Sequence, residues 1–235
     1  MKRIVIAALI ILLGGCTSPM KYAFEPAAAE SIRTIALVEP VEPEHYTAFN
    51  FGHPGMYLGL ASGIVTGSHM EAEGKAFTAH LRRTGFDIAR RLSDRTALEL
   101  ERRGYEIVRV TQMDDAKGVD AILTLRPMMV GYVAPRVLTD YIPALSVVVE
   151  LVPARRHDAE PVYRDGFLFG WQGFTGWWVP VPAPPEYSYR NFADLMKRSD
   201  EAADGLTVGA DRIAERLAAD FILTRTAADA LTLRR

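Results

Sequence analysis

Short apolar runs separated by turn residues predict five β-strands in the chain. The first run, IRTIALV, is closed by two Glu-Pro pairs, which end a strand because proline cannot donate to the hydrogen-bond ladder. The last two runs are joined by a short linker, which predicts an antiparallel hairpin. The predicted strands are 32–38, 105–110, 120–125, 145–152 and 162–171.

Two longer segments carry apolar residues at helical spacing, whereas residues 44–54 have the composition of a loop. From about residue 75 to residue 103 the apolar positions fall on one face, and Gly104 follows where a helix C-cap glycine is expected. Thr84 with Asp87 resembles a capping box, which predicts a possible break near Gly85. A final helix is predicted from the stripe of Leu206, Ala210, Ile213, Leu217 and Phe221.

The order of these elements predicts the fold class. One strand, a helix, two strands, a hairpin and a final helix favour an α+β fold, in which a single domain has a mixed sheet with helices packed on one side. The composition agrees, because 49% hydrophobic residues in a chain of 235 suffice for one sizeable core. We predict the domain over residues 32–224 and a tail at 225–235.

The amino-terminal segment has the pattern of an export signal. The basic residues Lys2 and Arg3 precede ten aliphatic residues at 4–13, which is well short of the roughly 20 residues that span a bilayer as a helix. A Leu-Gly-Gly sequence then leads to Cys16, the one cysteine of the chain. This order resembles the lipobox of bacterial lipoproteins, a family in which the cysteine is acylated and the peptide is cut before it.

The lipobox resemblance implies where the protein is located. It implies a signal peptide at 1–15, a lipid on Cys16 and a lipidated tether at 16–31. Thr17 follows the cysteine, and the absence of an aspartate there implies export to the outer membrane, with the domain facing the periplasm. Loss of the signal peptide leaves 25 basic against 29 acidic residues. This acidic balance, without a basic stripe, argues against a nucleic-acid partner. The lipid on Cys16 implies the membrane as a partner, and an envelope protein partner or self-association is the further alternative.

A glycine-rich stretch, GMYLGLASGIVTG, is the most distinctive internal feature. Its glycines recur at every fourth residue, which on a helix lines up a flat seam that another backbone can approach closely. Each glycine inside a helix costs roughly 0.5–1 kcal/mol against alanine, so four of them imply close packing in return. The seam can pack within its own fold, against a second copy or an envelope partner, or against a bilayer. Its residues are Gly55, Gly59, Gly63 and Gly67.

The three tryptophans of the chain fall within eight residues, ahead of four prolines. Proline stiffens the chain and removes ladder hydrogen bonds, so residues 171–189 are predicted to form an extended loop. Aromatic side chains on such a loop can cap the core, anchor a protein partner, lie at a membrane interface or stack on a glycan. The candidate residues are Trp171, Trp177 and Trp178.

The sequence lacks the short motifs of common catalytic and metal sites. GxSxG, a phosphate loop, HExxH and a cysteine pair are all absent. His69 and Glu73 are four residues apart and can share a helix face, but a metal site needs three or four converging ligands. Arginine pairs at 82–83, 90–91 and 102–103 indicate the solvated face of a helix. We therefore predict no catalytic residue, no metal and no cofactor.

Two further resemblances bear on function. The element order resembles the periplasmic α/β domains of the Tol-Pal propeller protein and of the curli-export pore lipoprotein. The segments KYAFEPAAAESIRTIALVEPVEPEHY and EYSYRNFADLM are similar to uncharacterised bacterial lipoproteins. We predict a non-enzymatic, outer-membrane-anchored periplasmic lipoprotein that binds or scaffolds an envelope component. The alternative is a subunit of an oligomeric export or pore assembly, and an envelope hydrolase is the third hypothesis.

Overall fold

Seven strands form one mixed sheet, which is the framework of the fold. The computed structural model describes residues 21–24, 26–53, 60–136, 138–156, 160–173 and 177–232. Within these ranges the strands are β1 (Thr34–Val38), β2 (Thr47–Asn50), β3 (Glu106–Val110), β4 (Ala121–Ala134), β5 (Ile142–Pro153), β6 (Tyr163–Gly170) and β7 (Trp178–Val181).

The strand order is β3-β1-β4-β5-β6-β7, and β2 pairs with the far end of the long strand β4. β1 is parallel to both of its neighbours, β2 is parallel to β4, and β7 is parallel to β6. β5 is antiparallel to both of its neighbours, β4 and β6. The predicted mixed sheet is confirmed. The predicted hairpin of residues 145–152 and 162–171 is also confirmed, and its two strands are β5 and β6.

The helices pack on one face of the sheet, which we call the inner face. The last helix contacts β5, β6 and β7, and also packs along the helix that precedes β3. None of the helices that the structure describes is both long and apolar enough to cross a membrane. The helices are α1 (Pro26–Ser31), α2 (Leu60–Arg83), α3 (Ile88–Glu101), α4 (Phe192–Lys197) and α5 (Ser199–Thr232). The predicted α+β fold is therefore confirmed.

The main core lies between the inner face and the helices. Because side chains alternate across a strand, every second residue of β5 and β6 points into it, and Leu145, Val147, Phe167 and Phe169 have no exposed surface. The stripe predicted for the last helix faces the same core, where all of its members are buried: Leu206, Ala210, Ile213, Leu217 and Phe221.

The predicted helix over residues 75–103 is two helices, α2 and α3, that meet near Gly85. Gly85 has φ +74°, a left-handed conformation that glycine adopts without a steric penalty. The N-cap of α3 is Asp87, whose Oδ1 accepts a hydrogen bond from the Arg90 amide at 2.8 Å. The Thr84 hydroxyl instead donates to the Leu81 carbonyl at 2.7 Å, so it ends α2. The predicted break is confirmed, with Asp87 rather than Thr84 as the cap.

Two strands lie where the sequence predicted loop. β2 falls within the predicted loop 44–54, and β7 falls within the predicted proline-rich loop 171–189. β7 is the last strand of the sheet order, so only one of its edges must supply ladder hydrogen bonds and Pro180 is tolerated. The last helix also extends past the start of the predicted tail, to Thr232.

Candidate binding surface

The sheet face opposite the helices, which we call the outer face, is covered in separate patches. One row across it joins Arg126, Val148, Gly166 and Trp178, which are register partners on β4 to β7. The outer face is apolar at the β3 end, where a second small core is formed by Ala36, Ile122 and Val152 with the partly buried Val110, Met113 and Val119.

Ion pairs occupy the next part of the outer face. The Glu150 carboxylate lies 3.0 Å from Nε of Arg164 and 3.9 Å from a guanidinium nitrogen of Arg126. The Arg164 guanidinium also lies 5.6 Å from the ring centroid of Tyr22. This part of the face is therefore polar and partly solvated, in contrast with the dry inner face.

Trp177 and Trp178 form a stacked pair on the outer face. Their ring centroids are 4.4 Å apart with the planes at 25°. Both rings lie directly over Gly166, because a Cβ at that position would be 2.4 Å from Trp177 and 2.7 Å from Trp178. Both side chains remain partly exposed. The pair therefore does not cap the main core, which lies on the other side of the sheet.

Trp171 belongs to a different aromatic group at the end of β2 and β6. Its ring stacks on Phe51 with centroids 5.0 Å apart and planes at 26°, and Phe51 in turn contacts Phe49 at 4.4 Å. The Trp171 amide donates to the Pro143 carbonyl at 2.8 Å, which fixes the backbone beneath the ring. The predicted tryptophan loop is thus divided between two sites.

The Phe51–Trp171 stack forms a wall of an open cavity of about 780 Å³, which we call the aromatic cleft. A volume of this size falls in the range of small-molecule and oligomer sites, roughly 300–1,000 Å³. The lining combines the two rings with a guanidinium, a hydroxyl and an amide. Its residues are Phe51, Pro135, Arg136, Thr139, Trp171, Gln172 and Gly173.

A second cavity of about 550 Å³ adjoins the aromatic cleft and shares Thr139 with it; we call it the Glu73 pocket. The Tyr141 hydroxyl donates to Glu73 at 3.3 Å, and His69 Nε2 lies 3.3 Å from the other carboxylate oxygen. The His53 ring centroid is 6.1 Å from that of His69. The remaining lining of this pocket includes Asn50, Arg190, Asn191 and Phe192.

Burial sets the protonation properties of the Glu73 pocket. It raises the pKa of the Glu73 carboxyl above its usual value, while the nearby His69 and the hydrogen bond from Tyr141 act in the opposite direction. Burial, followed by the Glu73 charge, raises the pKa of the Tyr141 phenol. Tyr141 is therefore a protonated donor at neutral pH, and Glu73 is its acceptor.

The other predicted site residues are placed as follows. Gly63 and Gly67 lie in α2, whereas Gly55, Gly59 and Cys16 lie outside the described residues. The i, i+4 spacing correctly brought His69 and Glu73 onto one helix face, but it gave no sign of Tyr141. Phe51, Tyr141 and Arg136 were missed because their partners are distant in the chain.

The arginine pairs of α2 and α3 are engaged in ion pairs in several cases. Arg91 makes two contacts with Asp211 of α5, at 2.8 and 2.6 Å. The buried carboxylate of Glu99 lies 2.9 Å from Arg95, 2.7 Å from Arg102 and 3.0 Å from Arg103. Arg91 therefore joins α3 to α5, and the other three arginines neutralise the buried carboxylate of Glu99. The sequence indicated only a solvated helix face for these arginine pairs.

Comparison with known proteins found no match among protein-family models and none among curated protein sequences. Solved structures that resemble the chain do so weakly. A PelC variant from Paraburkholderia phytofirmans, solved as a dodecamer, has a TM-score of 0.37 and 11% identity over 86% of this chain and 93% of that one. A lipoprotein from Neisseria meningitidis has a TM-score of 0.30 and 12% identity, over 61% of this chain and 87% of its own. A neuraminyllactose-binding hemagglutinin homologue from Helicobacter pylori has a TM-score of 0.27 and 13% identity, over 83% and 90%.

Proposed function

We propose that the protein is a lipid-anchored lipoprotein of the outer membrane that faces the periplasm and binds a glycan of the cell envelope without catalysing a reaction. The observation that carries the proposal is the Phe51–Trp171 stack on the wall of the aromatic cleft. Support for the anchor comes from the resemblance of the segment that ends at Cys16 to a lipobox.

The chemistry of the aromatic cleft suits a sugar. The C–H faces of a pyranose ring pack on an aromatic ring, and the hydroxyl groups at its rim need hydrogen-bond partners. Arg136 offers donors in a fixed fork, Gln172 offers both a donor and an acceptor, and Thr139 offers a hydroxyl. An apolar ligand would leave these groups without a role, whereas a glycan uses both kinds of surface.

The two adjoining cavities suit an extended ligand. The aromatic cleft and the Glu73 pocket meet at Thr139, so a chain of sugars that contacts Trp171 can continue towards Tyr141. Arg190 and Asn191 line the far part of the path. A polymer bound along both cavities makes several weak contacts, which is the usual way in which open grooves reach useful affinity.

The polar groups favour binding over hydrolysis. Glycoside hydrolases generally use a pair of carboxyl groups that flank the bond to be cleaved. Among the described residues that line the two cavities, Glu73 is the one carboxylate, and it already accepts a hydrogen bond from Tyr141. We therefore assign Glu73 the role of an acceptor that orients the ligand.

The test is titration of the acylated protein in detergent with an N-acetylglucosamine oligomer and with a polyuronic acid, followed by tryptophan fluorescence and calorimetry. One of the two glycans is expected to bind the parent protein. For that glycan we expect Trp171→Ala to lower the affinity by about tenfold, the equivalent of one lost aromatic contact of about 1.4 kcal/mol. Trp178→Ala, a matched control on the outer face, should bind as the parent does.

Equal affinity of the Trp171→Ala variant, or saturable binding of unstructured peptides in place of both glycans, would contradict the assignment. The anchor is tested separately by labelling cells with radioactive palmitate. Cys16→Ser should abolish the label and release the protein from the membrane fraction. Retention of the label in that variant would refute the anchor.

A further inference from the structure

The first described residues of the chain lie beside the tryptophan pair. Tyr22 forms an antiparallel bridge with Arg164 through two hydrogen bonds, of 2.8 and 3.0 Å. The Lys21 ammonium lies 2.7 Å from the buried carboxylate of Asp165. The next residue of β6 is Gly166, over which both tryptophan rings pack. The tether therefore reaches the domain at the strand on which the pair rests.

The length of the tether limits how far this part of the domain can lie from an anchored lipid. Five residue steps separate Cys16 from Lys21. A fully extended chain spans at most about 3.6 Å per residue, so the Cα of Cys16 lies within about 18 Å of the Cα of Lys21. The tryptophan pair is thus held close to the membrane surface whenever the anchor is inserted.

The chemistry of the pair suits the headgroup region of a bilayer. Tryptophan is enriched at membrane–water interfaces because its large ring is apolar while its N–H is polar. Trp177 and Trp178 are partly exposed, and Pro180 and Pro182 that follow them are exposed. The pair packs one side on the sheet and leaves aromatic surface directed away from the main core.

A basic side chain accompanies the pair. Arg126 lies in the same cross-strand row as Trp178, three strand spacings or roughly 14 Å away, and its side chain is 66% exposed. Lys21 pairs instead with Asp165, which shares the inner face with Phe167, so it does not belong to this row. Basic residues near a membrane surface are attracted to anionic phospholipids.

We propose that Trp177 and Trp178, with Arg126, form a second membrane contact that lies in the phospholipid headgroups of the bilayer holding the anchor. This inference rests on the lipid anchor of the proposed function. The contact orients the domain, because a single lipid anchor leaves its rotation free. Trp171 lies about 16 Å along the strand from Gly166 and stacks on Phe51 at the end of β2 and β6, outside the row that holds the pair and Arg126, so we expect the aromatic cleft to stay clear of the headgroups.

Tryptophan quenching tests the contact, because the three tryptophans can be separated by substitution. In Trp171→Phe the pair is the only fluorophore of its kind, and in the double variant Trp177→Phe with Trp178→Phe the residue Trp171 is left alone. The acylated proteins are reconstituted into phosphatidylethanolamine–phosphatidylglycerol vesicles that contain lipids brominated close to the headgroup or near the acyl end. We expect strong quenching of the pair by the shallow bromines, weaker quenching by the deep ones, and none of Trp171.

Absence of quenching of the pair in a membrane-bound protein, or equal quenching of Trp171, would overturn the contact. Arg126 is tested separately, by binding of the non-acylated mature chain to phosphatidylglycerol vesicles. Arg126→Gln should lower that affinity by about fivefold, the equivalent of one basic residue near a charged surface. Its binding to neutral phosphatidylcholine vesicles should be unchanged. Equal binding of Arg126→Gln and the parent chain to the charged vesicles would remove Arg126 from the contact.

An artificial anchor separates failure of this contact from failure of the natural anchor. The mature chain with Cys16→Ser is held on the same vesicles by an amino-terminal histidine tag and a nickel-chelating lipid. Quenching of the pair there supports the contact even if the cell does not acylate Cys16. A natural acylated protein that remains bound with an unquenched pair refutes the contact while the anchor stands.

Discussion

The helices α2, α3 and α5 cover the inner face of the sheet and bury its side chains, whereas the outer face is covered in patches that leave side chains partly exposed. On the inner face Phe77, Tyr132 and Phe169 have no exposed surface. On the outer face the ion pairs of Glu150 and the stacked Trp177–Trp178 rings are in contact with solvent. Stability is therefore expected to come mainly from the inner face, and the outer face is available for binding.

Polar groups follow the same division. On the inner face the Tyr132 hydroxyl donates to the Ala202 carbonyl at 3.1 Å, and the Tyr163 hydroxyl donates to Asp220 at 3.2 Å. Burial raises the pKa of both phenols, so these groups are fixed donors. On the outer face the charged groups of Arg126 and Arg164 share one carboxylate, an arrangement that solvent and a ligand can rearrange.

The largest expected effect comes from a cavity on the inner face. Phe77→Ala removes a fully buried ring that meets Tyr132 edge to face at 6.0 Å, so we expect the free energy of unfolding to fall by about 3–5 kcal/mol. The comparison variant is Trp178→Ala on the outer face, for which we expect a loss under about 1.5 kcal/mol, because the ring is only partly buried. Urea titration of both variants measures the difference.

A loss for Trp178→Ala as large as that for Phe77→Ala would mean that the outer face is a second core. The slope of the urea transition should be the same for both variants, so that the shift of the midpoint reports the change in stability. An unchanged slope with a shifted midpoint is the expected behaviour of Phe77→Ala.

A matched pair of glycine substitutions gives a smaller effect and a sharper comparison. In Gly209→Ala of α5 the new Cβ lies 2.6 Å from the buried Phe169 ring, so overpacking of about 1–3 kcal/mol outweighs the roughly 0.5–1 kcal/mol that alanine adds to a helix. In Gly166→Ala the new Cβ meets the tryptophan pair, which can move into solvent, so we expect a loss under about 1 kcal/mol. Thermal unfolding of both variants measures the difference.

The same two variants should differ in the opposite sense at the membrane. Gly166→Ala displaces the pair from the sheet and should alter its quenching by brominated lipids, whereas Gly209→Ala should leave quenching as it is. A larger loss of stability for Gly166→Ala than for Gly209→Ala would contradict the division between the two faces.

The fold was predictable where periodicity alone decides an element. The stripe from Leu206 to Phe221 specified α5, and the runs at 145–152 and 162–171 specified β5 and β6, because in each case local pattern and burial agree. β2 and β7 were not predicted, since each has four residues and is stabilised by pairing with β4 or β6, which a local pattern does not contain.

The candidate site was only partly predictable for a similar reason. All three tryptophans were identified, but their division between the aromatic cleft and the outer face depends on Phe51 and Gly166, which are distant in the sequence or carry no side chain. The close packing expected of glycines in a helix is seen at Gly205 and Gly209 of α5, where a Cβ would lie 2.5 Å from Tyr132 and 2.6 Å from Phe169. Gly205 and Gly209 form a single pair at a spacing of four residues, which in the sequence is a weaker indication of close packing than the four-glycine repeat at 55–67.

The smallest expected effect concerns Glu73, which lies where α2 meets the cleft and belongs to neither face of the sheet. Its pKa in the folded protein is raised from the ordinary value of 4.5, so between these two values the folded state binds more protons than the unfolded state. The free energy of unfolding therefore falls as the pH rises from about 4.5 through the folded-state pKa.

Glu73→Gln removes this titration while keeping an acceptor for the Tyr141 hydroxyl. We expect the variant to gain stability relative to the parent protein as the pH rises from 4 to 7, a difference that urea titrations at each pH measure. His69 of α2 and His53 after β2 lie near the Glu73 carboxylate, and Arg190 before α4 lines the pocket, so the parallel variant His69→Gln separates the histidine from the carboxylate. The same pH profile in Glu73→Gln and the parent would show that the carboxylate is well solvated. That result would contradict the assignment of Glu73 as a buried acceptor in the Glu73 pocket.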